Sequence, residues 1–287
     1  MREQPIAELR ILKGLHGTNK VHWLESSRCQ GVAVLFGGDR VGSAPQEVLR
    51  LQDVNTQAAL VRQRWPGCSV AIVAPSRLEA NFACYDHFLA ACTRSGEPLG
   101  YKGRSLKACL QMWSLLRALS LPDRGDERSR WPPVRLLGFS KGCVVVNQVL
   151  AEIAYLEGLS DEAAIEHLQR SSRGAPDVDL PDMLVFVKAI REVLLLDAGL
   201  NCRGAYLTDP EAAAGLGRWC RRAQLRVSLH GTPRQWGCSA RPWIAEEKDR
   251  CMALLAAAGV PVKQRLHFAG QEPSLLMHFR ILEAFEF

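Results

Sequence analysis

The sequence contains no apolar run near the roughly 18–20 residues that a membrane-spanning helix needs, and its first residues lack the apolar core of a secretory signal peptide. We therefore expect no transmembrane segment and no secretion through such a signal. Residues 2–20 carry four basic side chains and few acidic ones, which is compatible with an organelle-targeting leader.

Metal-binding cysteine pairs are also missing. The ten cysteines form no Cys-x-x-Cys pair, and none has zinc-finger spacing to the histidines. Several lie inside apolar runs, where a thiol packs as a small hydrophobic group. Reduced, buried thiols are typical of an intracellular setting, so the sequence predicts an intracellular protein and no cysteine metal centre.

No basic block is interleaved with aromatic residues, although the formal net charge is +6. The excess is spread along the chain; Arg124 and Arg128, for example, alternate with Asp123 and Asp126. We therefore do not expect a nucleic-acid partner. A basic, matrix-type compartment and an anionic substrate fit this charge equally well.

What the sequence does contain is an alternation of short apolar strands and amphipathic helices, over 287 residues with 47% hydrophobic and 23% charged content. That alternation predicts a single α/β domain with a mostly parallel central sheet flanked by helices. We expect an N-terminal extension over 1–29, the domain over 30–287, and a possible lid insertion over 158–182. The strands are expected at 32–36, 69–73, 134–138, 193–197, 224–229 and 262–268, and the main helices at 46–64, 104–119, 143–156 and 244–258.

The run from Gly138 to Gly142 carries the strongest chemical signal. It reads Gly-x-Ser-x-Gly, with Ser140 at its centre, and it lies between an apolar strand and a helix. In α/β hydrolases this strand–turn–helix elbow presents a serine nucleophile. The helix N-terminus behind it also suits a developing oxyanion. The alternative is a glycine-rich connection with an ordinary serine.

A serine nucleophile needs a histidine base and a carboxylate that orients the histidine, in the chain order serine, acid, histidine for this fold. Asp197 ends an apolar strand and is the predicted acid, with a strand terminator or helix cap as the alternative. The next strand ends without a carboxylate, so this acid lies one strand earlier than usual. Two histidines near the end of the chain are candidates for the base: His278, in the first turn of the helix that Ser274 caps, and His267, inside the last strand. We favour His278.

The predicted oxyanion hole combines two backbone N–H groups. One is that of Lys141, next to the serine, and the other comes from the Gly37–Gly38 turn after the first strand, where glycine allows close approach. A plain tight turn is the alternative, and Asp39 could contribute only its backbone. The Lys141 side chain either attracts an anionic ester or points to solvent, and the sequence does not decide between these.

Taken together, several stretches resemble a family of α/β-hydrolase-like proteins whose vertebrate representative is a mitochondrial protein named for a chromosome 2 open reading frame. The resemblance covers roughly residues 30–287. It rests on the segments 36–39, 84–88, 138–148, 196–199, 232–235, 241–244 and 273–279. It implies a serine-hydrolase-like fold, mitochondrial or cytosolic residence, and catalytic roles for Ser140, Asp197 and His278.

One departure from the family pattern concerns activity. The family sequence after the acid looks like Asp-Gly-Gly-His, whereas this chain has Asp197-Ala198-Gly199-Leu200. We predict a serine hydrolase that acts on a small-molecule carboxylic ester or thioester without a metal or organic cofactor. The alternatives are a catalytically inactive hydrolase fold that serves as a binding or regulatory protein, and an acyltransferase with the same triad.

Overall fold

The computed structural model describes residues 6–28, 30–119, 131–172 and 179–286. The chain forms ten strands and ten α-helices in these ranges. In order they are β1 (Glu8–Gly14), β2 (Gly17–Leu24), β3 (Gly31–Phe36), α1 (Gln46–Gln52), α2 (Val54–Arg64), β4 (Cys68–Val73), β5 (Arg77–Glu79), β6 (Phe82–Cys84), α3 (Lys107–Arg117), β7 (Val134–Phe139), α4 (Cys143–Glu157), α5 (Asp161–Ser171), α6 (Leu180–Ala189), β8 (Ile190–Leu196), α7 (Pro210–Ala223), β9 (Arg226–Gly231), α8 (Pro233–Trp236), α9 (Trp243–Ala257), β10 (Val262–Leu266) and α10 (Leu275–Ala284).

Eight strands form one sheet in the order β1-β2-β4-β3-β7-β8-β9-β10, and β5 and β6 form a separate hairpin. From β4 to β10 all neighbouring strands are parallel, whereas β2 runs antiparallel to both β1 and β4. A mostly parallel sheet with a serine elbow after its central strand is the α/β-hydrolase arrangement, and this confirms the predicted fold class.

Alternate residues of the buried strands build two hydrophobic cores, one on each face of the sheet. In β3, Val34 and Phe36 face the core formed with α3, α4, α6, α7 and α9. Ala33 and Leu35 face the opposite core, which α1, α2 and α10 cover. Because β3 is apolar on both faces, the sequence shows it as a continuous hydrophobic run, as expected for a strand inside a parallel sheet.

The expected N-terminal extension over 1–29 is not separate from the sheet. Residues 8–24 supply β1 and β2, and β2 pairs directly with β4 through Val21 opposite Val73. Asn19, Val21 and Trp23 are buried, whereas Thr18 and Lys20, which alternate with them, are exposed. This two-residue alternation is the signal of a half-buried strand, and it ties residues 8–24 to the same domain.

The single helix expected over 46–64 is two helices. Asp53 leaves the helical conformation, with φ −66° and ψ 132°, and its side chain accepts a hydrogen bond of 2.8 Å from the Thr56 N–H. An aspartate that caps a helix in this way ends the continuous run. The helical spacing of the apolar residues continues across the break, which is why the pattern alone predicted one element.

The described part of the predicted lid segment lies away from Ser140. Helix α4 begins next to Ser140 and leads to Glu157, and α5 follows from there. Helix α6 packs on α3 and leads into the start of β8, so it lies toward the end of the sheet opposite Ser140. Residues 173–178 of the predicted lid segment lie outside the described residues.

Cys84, Cys109 and Cys143 are free thiols, and they are buried as the apolar runs predicted. Among the helices of the described ranges, none has the length and apolar character that crossing a membrane would require.

Candidate active site

Ser140 lies in the turn between β7 and α4 and adopts a positive φ of 53°. This left-handed conformation is strained for a residue with a side chain. Tight packing around the turn enforces it: a Cβ atom on Gly142 would lie 2.0 Å from the carbonyl oxygen of Phe36, and one on Gly138 would lie 2.6 Å from the Cα of Cys143. Both flanking glycines are therefore required by backbone contacts.

The turn after β3 lies directly against Ser140. A Cβ atom on Gly38 would be 2.5 Å from the Cβ of Ser140 and 2.9 Å from its Oγ. The Tyr85 hydroxyl donates a 2.8 Å hydrogen bond to the carbonyl oxygen of Gly37 and holds this turn. The structure thus brings Gly38 and the Lys141 backbone to the same serine, while Gly37 lines an adjoining cavity.

Asp197 follows β8 and is fully buried, also with a positive φ, of 49°. His278 donates from Nδ1 to Asp197 Oδ2 over 2.6 Å. Thr232 donates to the same carboxylate twice, from its N–H to Oδ1 over 2.7 Å and from its hydroxyl to Oδ2 over 2.9 Å. The carboxylate is therefore paired with hydrogen-bond donors at both oxygens, which compensates its burial.

His278 lies in the first turns of α10, where the Ser274 hydroxyl caps the helix by accepting from Met277 N–H. Its ring packs against Phe139, the neighbour of Ser140, with centroids 4.8 Å apart. Ser140 and His278 line one cavity of about 150 Å³. The structure thereby brings Ser140, His278 and Asp197 into one site; their catalytic roles stay a prediction.

His267, the alternative base, belongs to a different pair. It lies just after β10 rather than inside it, and its Nε2 is 2.9 Å from Nδ1 of His230. The two rings stack with an interplanar angle of 23°. Both histidines are buried, so the His267 ring is engaged with His230 and in packing.

We expect the free energy of unfolding to fall as the pH drops from 6.5 toward 4. Burial, followed by the nearby His267 and Arg265, lowers the pKa of His230 to about 4. The unfolded chain, whose histidine titrates near 6.5, then binds a proton that the folded chain does not. The stabilisation is complete above pH 6.5 and is lost as the pH falls through 4.

Urea unfolding of the wild type and His230→Gln at pH 7.5 and pH 4.5 measures this effect. Between pH 7.5 and pH 4.5, the free energy of unfolding of the wild type should fall by on the order of 2 kcal/mol more than that of the variant. An equal loss in both proteins would show that His230 does not carry the pH dependence.

The Lys141 side chain neither reaches solvent nor is available as an uncompensated cation, which corrects both predicted alternatives. It is 1% exposed, and its Nζ lies 3.4 Å from Glu97 Oε1 and 3.9 Å from Asp39 Oδ1. It also donates to the carbonyl oxygen of Ser95 and lies 5.0 Å from the centre of the Phe82 ring. The hairpin of β5 and β6 that carries Phe82 was not predicted, so the enclosure of Lys141 was not expected.

Sequence reasoning also missed four residues of the site. Thr232, which holds Asp197, occupies the strand end where many hydrolases carry their acid. Three more side chains line the cavity beside Ser140: Arg234, Gln235 and Arg241. The signal for Thr232 was available, since a hydroxyl residue follows β9 at the level of Asp197.

Comparison with known proteins shows which family this chain resembles. A sequence model of the C2orf69 family matches residues 130–261. The human mitochondrial protein C2orf69 is 30% identical over 187 residues, which are 65% of this chain and 41% of the human protein. Over these residues the chain is similar to the C2orf69 family. The homologue from Danio rerio is 26% identical over 256 residues, covering 85% of this chain and 67% of the zebrafish protein.

The chain spans about two fifths of the human C2orf69 protein and 34% of the mouse homologue. The stretch matched by the C2orf69 family model contains Ser140, Asp197 and Thr232, whereas His278 lies beyond it. The family match therefore covers the elbow and the predicted acid of this chain.

Solved structures similar to this chain include a Bacillus cereus carboxylesterase, at 13% identity and a TM-score of 0.45, over 93% of this chain and 92% of the other. A ferulic acid esterase has 10% identity and a TM-score of 0.49, over 97% and 94% of the two chains. The sheet order and the elbow described above establish the α/β-hydrolase fold independently of these similarities.

Proposed function

We propose that this chain is a serine hydrolase that cleaves a carboxylic ester or thioester. Ser140 is the nucleophile, His278 the general base and Asp197 the residue that orients the base. The observation that carries the proposal is the 2.6 Å hydrogen bond from His278 Nδ1 to the buried Asp197, beside a serine held at positive φ. A histidine whose Nδ1 donates to a carboxylate has Nε2 available as a base.

In the first half of the reaction, Ser140 Oγ attacks the carbonyl carbon and its proton passes to His278 Nε2. The carbon–oxygen or carbon–sulfur bond to the leaving group then breaks, and His278 returns the proton to that group. In the second half, water attacks the acyl-enzyme with His278 again as base, and Ser140 is released. Asp197 stabilises the imidazolium in both halves.

The N–H groups of Gly38 and Lys141 are the proposed donors to the oxyanion. Gly38 lies against the Ser140 side chain, and Lys141 follows Ser140 in the turn that precedes α4. Backbone donors fixed before the reaction are effective because they need no reorganisation when the negative charge develops.

The size of the cavity favours a short acyl group. Its volume of about 150 Å³ is below the ~300 Å³ typical of sites that hold a drug-sized ligand. Leu200, which replaces the histidine of the family pattern, lies in the cavity wall and is buried. This substitution changes the apolar character of the wall and leaves the contact between Asp197 and His278 in place.

We further propose a mitochondrial location, because the curated relatives in human, mouse and zebrafish are all named mitochondrial proteins.

Hydrolysis of 4-nitrophenyl acetate and 4-nitrophenyl octanoate tests the proposal. We expect the wild type to prefer the acetate, and Ser140→Ala to lose about 10³-fold or more in kcat/KM. Unfolding curves of both proteins control for folding. Equal rates in wild type and Ser140→Ala would contradict the proposal and favour an inactive hydrolase fold that binds a partner.

A further inference from the structure

The cavity beside Ser140 has a wall that the proposed reaction does not use. Arg234 and Gln235, on the short helix α8, and Arg241, just before α9, form this wall. Asp39 and Glu97, the carboxylates that pair with Lys141, line the same cavity. Two guanidinium groups in the wall of a small cavity require a physical reason, because positive charges repel each other.

The two arginines have no acidic partner in the described part of the chain. Both are half-buried, and neither takes part in a salt bridge among these residues, although Arg203 and Arg265 nearby in sequence do. Burial would raise the pKa of the Cys238 thiol, but the hydrogen bond and the charge of Arg241 lower it. The guanidinium groups are therefore available to an anion from outside.

The charge of Lys141, in contrast, is already compensated. Asp39 and Glu97 both lie within 4 Å of its ammonium group, and the side chain is buried. The negative charge of a ligand at that side of the cavity would be repelled by these two carboxylates. An anionic ligand is thus directed to the arginine side.

Gln235 adds an unmet hydrogen-bond acceptor between the two arginines in the sequence. The residue is 4% exposed, and its Oε1 is buried without a hydrogen-bond partner in the described structure. Its amide packs on Gly199, where a Cβ atom would come within 2.4 Å of Nε2. A buried acceptor without a partner is unfavourable, and a ligand donor would remove that penalty.

We propose that the substrate of this site carries an anionic group, a carboxylate or a phosphate, that Arg234 and Arg241 bind, and an O–H or N–H group that donates to Gln235 Oε1. This inference rests on the proposed hydrolase function and adds the substrate class. Arginine suits the role because its planar guanidinium group forms paired hydrogen bonds with carboxylates and phosphates.

Four methyl esters test the inference through methanol release: methyl pentanoate, monomethyl succinate, methyl 3-phosphonopropanoate and the 4-methyl ester of malic acid. We expect at least one anionic ester to exceed methyl pentanoate about 10-fold or more in kcat/KM. Whichever of the carboxylate and the phosphonate esters has the higher kcat/KM identifies the anion.

Arg234→Gln and Arg241→Gln should each reduce the ratio of kcat/KM for the anionic ester to kcat/KM for the neutral ester about 10-fold, as expected for one charge-assisted contact. The malate ester should exceed the succinate ester, and Gln235→Leu should remove that advantage.

Binding to Ser140→Ala separates this inference from the proposed function. Sodium succinate and inorganic phosphate serve as probes in NMR titrations, with the Ser140→Ala/Arg234→Gln/Arg241→Gln variant as control. If either probe binds to Ser140→Ala and does not bind to the control, the anion site is supported, even if no ester is hydrolysed. Hydrolysis without preference for charge overturns the inference and leaves the hydrolase proposal standing, and absence of both hydrolysis and anion binding overturns both.

Discussion

Replacing Asp197 with asparagine is expected to lower kcat by about 10³–10⁴-fold while leaving the fold intact. Asparagine has nearly the same size, and it tolerates the positive φ of this position better than most residues. Thr232 can still donate to the remaining carbonyl oxygen. The fold should therefore accept the change, and the effect should be confined to the chemistry.

The loss of rate follows from the histidine tautomer. The asparagine amide would turn its NH₂ toward His278 Nδ1, which then has to accept a hydrogen bond instead of donating one. The proton moves to Nε2, and the ring can no longer take the proton of Ser140. An exchange of this kind in a Ser-His-Asp triad costs about 10⁴-fold in kcat.

Thr232→Val is the matched control for this prediction. It removes one donor to Asp197 Oδ2 and keeps the carboxylate, the N–H of residue 232 and the shape of the side chain. We expect a reduction in kcat of roughly 10-fold, as for other residues that hold a catalytic group in position. If Asp197→Asn retained more than a tenth of the wild-type kcat, Asp197 would not be the orienting acid.

Gly142→Ala is expected to destabilise the protein by about 3 kcal/mol or more. The new methyl group would lie 2.0 Å from the carbonyl oxygen of Phe36 and 2.6 Å from that of Gly37. Both atoms belong to the backbone, so no side-chain rotation relieves the contact. The end of β3 would have to move away from the start of α4, and overpacking of this kind costs about 1–3 kcal/mol even where the neighbours can adjust.

Gly158→Ala, at the other end of α4, is the control. Its φ is −80°, and a Cβ atom there would meet its nearest neighbour at an ordinary 3.4 Å. We expect a change within about 0.5 kcal/mol. Urea unfolding followed by circular dichroism compares the two variants. Equal midpoints would contradict the close packing of the serine elbow on the Gly37–Gly38 turn.

The central parallel strands were accessible from sequence because they are mostly apolar and buried on both faces. Val32–Phe36 stands out as a continuous hydrophobic run, and Val134–Gly138 is interrupted only by Arg135. The β1–β2 pair at the sheet edge was not predicted, because only alternate residues of β2 are buried and β1 is largely exposed. Edge strands carry a weaker hydrophobic signal than central ones.

The residues of the site also divide into those that the sequence predicts and those whose surroundings it does not predict. Ser140 could be predicted because a five-residue pattern in a strand–turn–helix setting encodes its strained conformation. His278 could be selected because it follows a helix cap near the end of the chain. The environment of Lys141 could not be predicted, since its partners Asp39 and Glu97 come from separate loops far from it in sequence, and only the folded chain brings them together.

Mass spectrometry of the intact protein after reaction with a fluorophosphonate tests the central claim most directly. Such reagents phosphonylate a serine only where a base activates it and an oxyanion hole stabilises the addition. We predict one adduct on the wild type, located in the peptide that contains Ser140. We predict no adduct on the Ser140→Ala and His278→Ala variants, provided that each variant remains folded. An unlabelled, folded wild-type protein, or an adduct that persists in Ser140→Ala, would contradict the central claim.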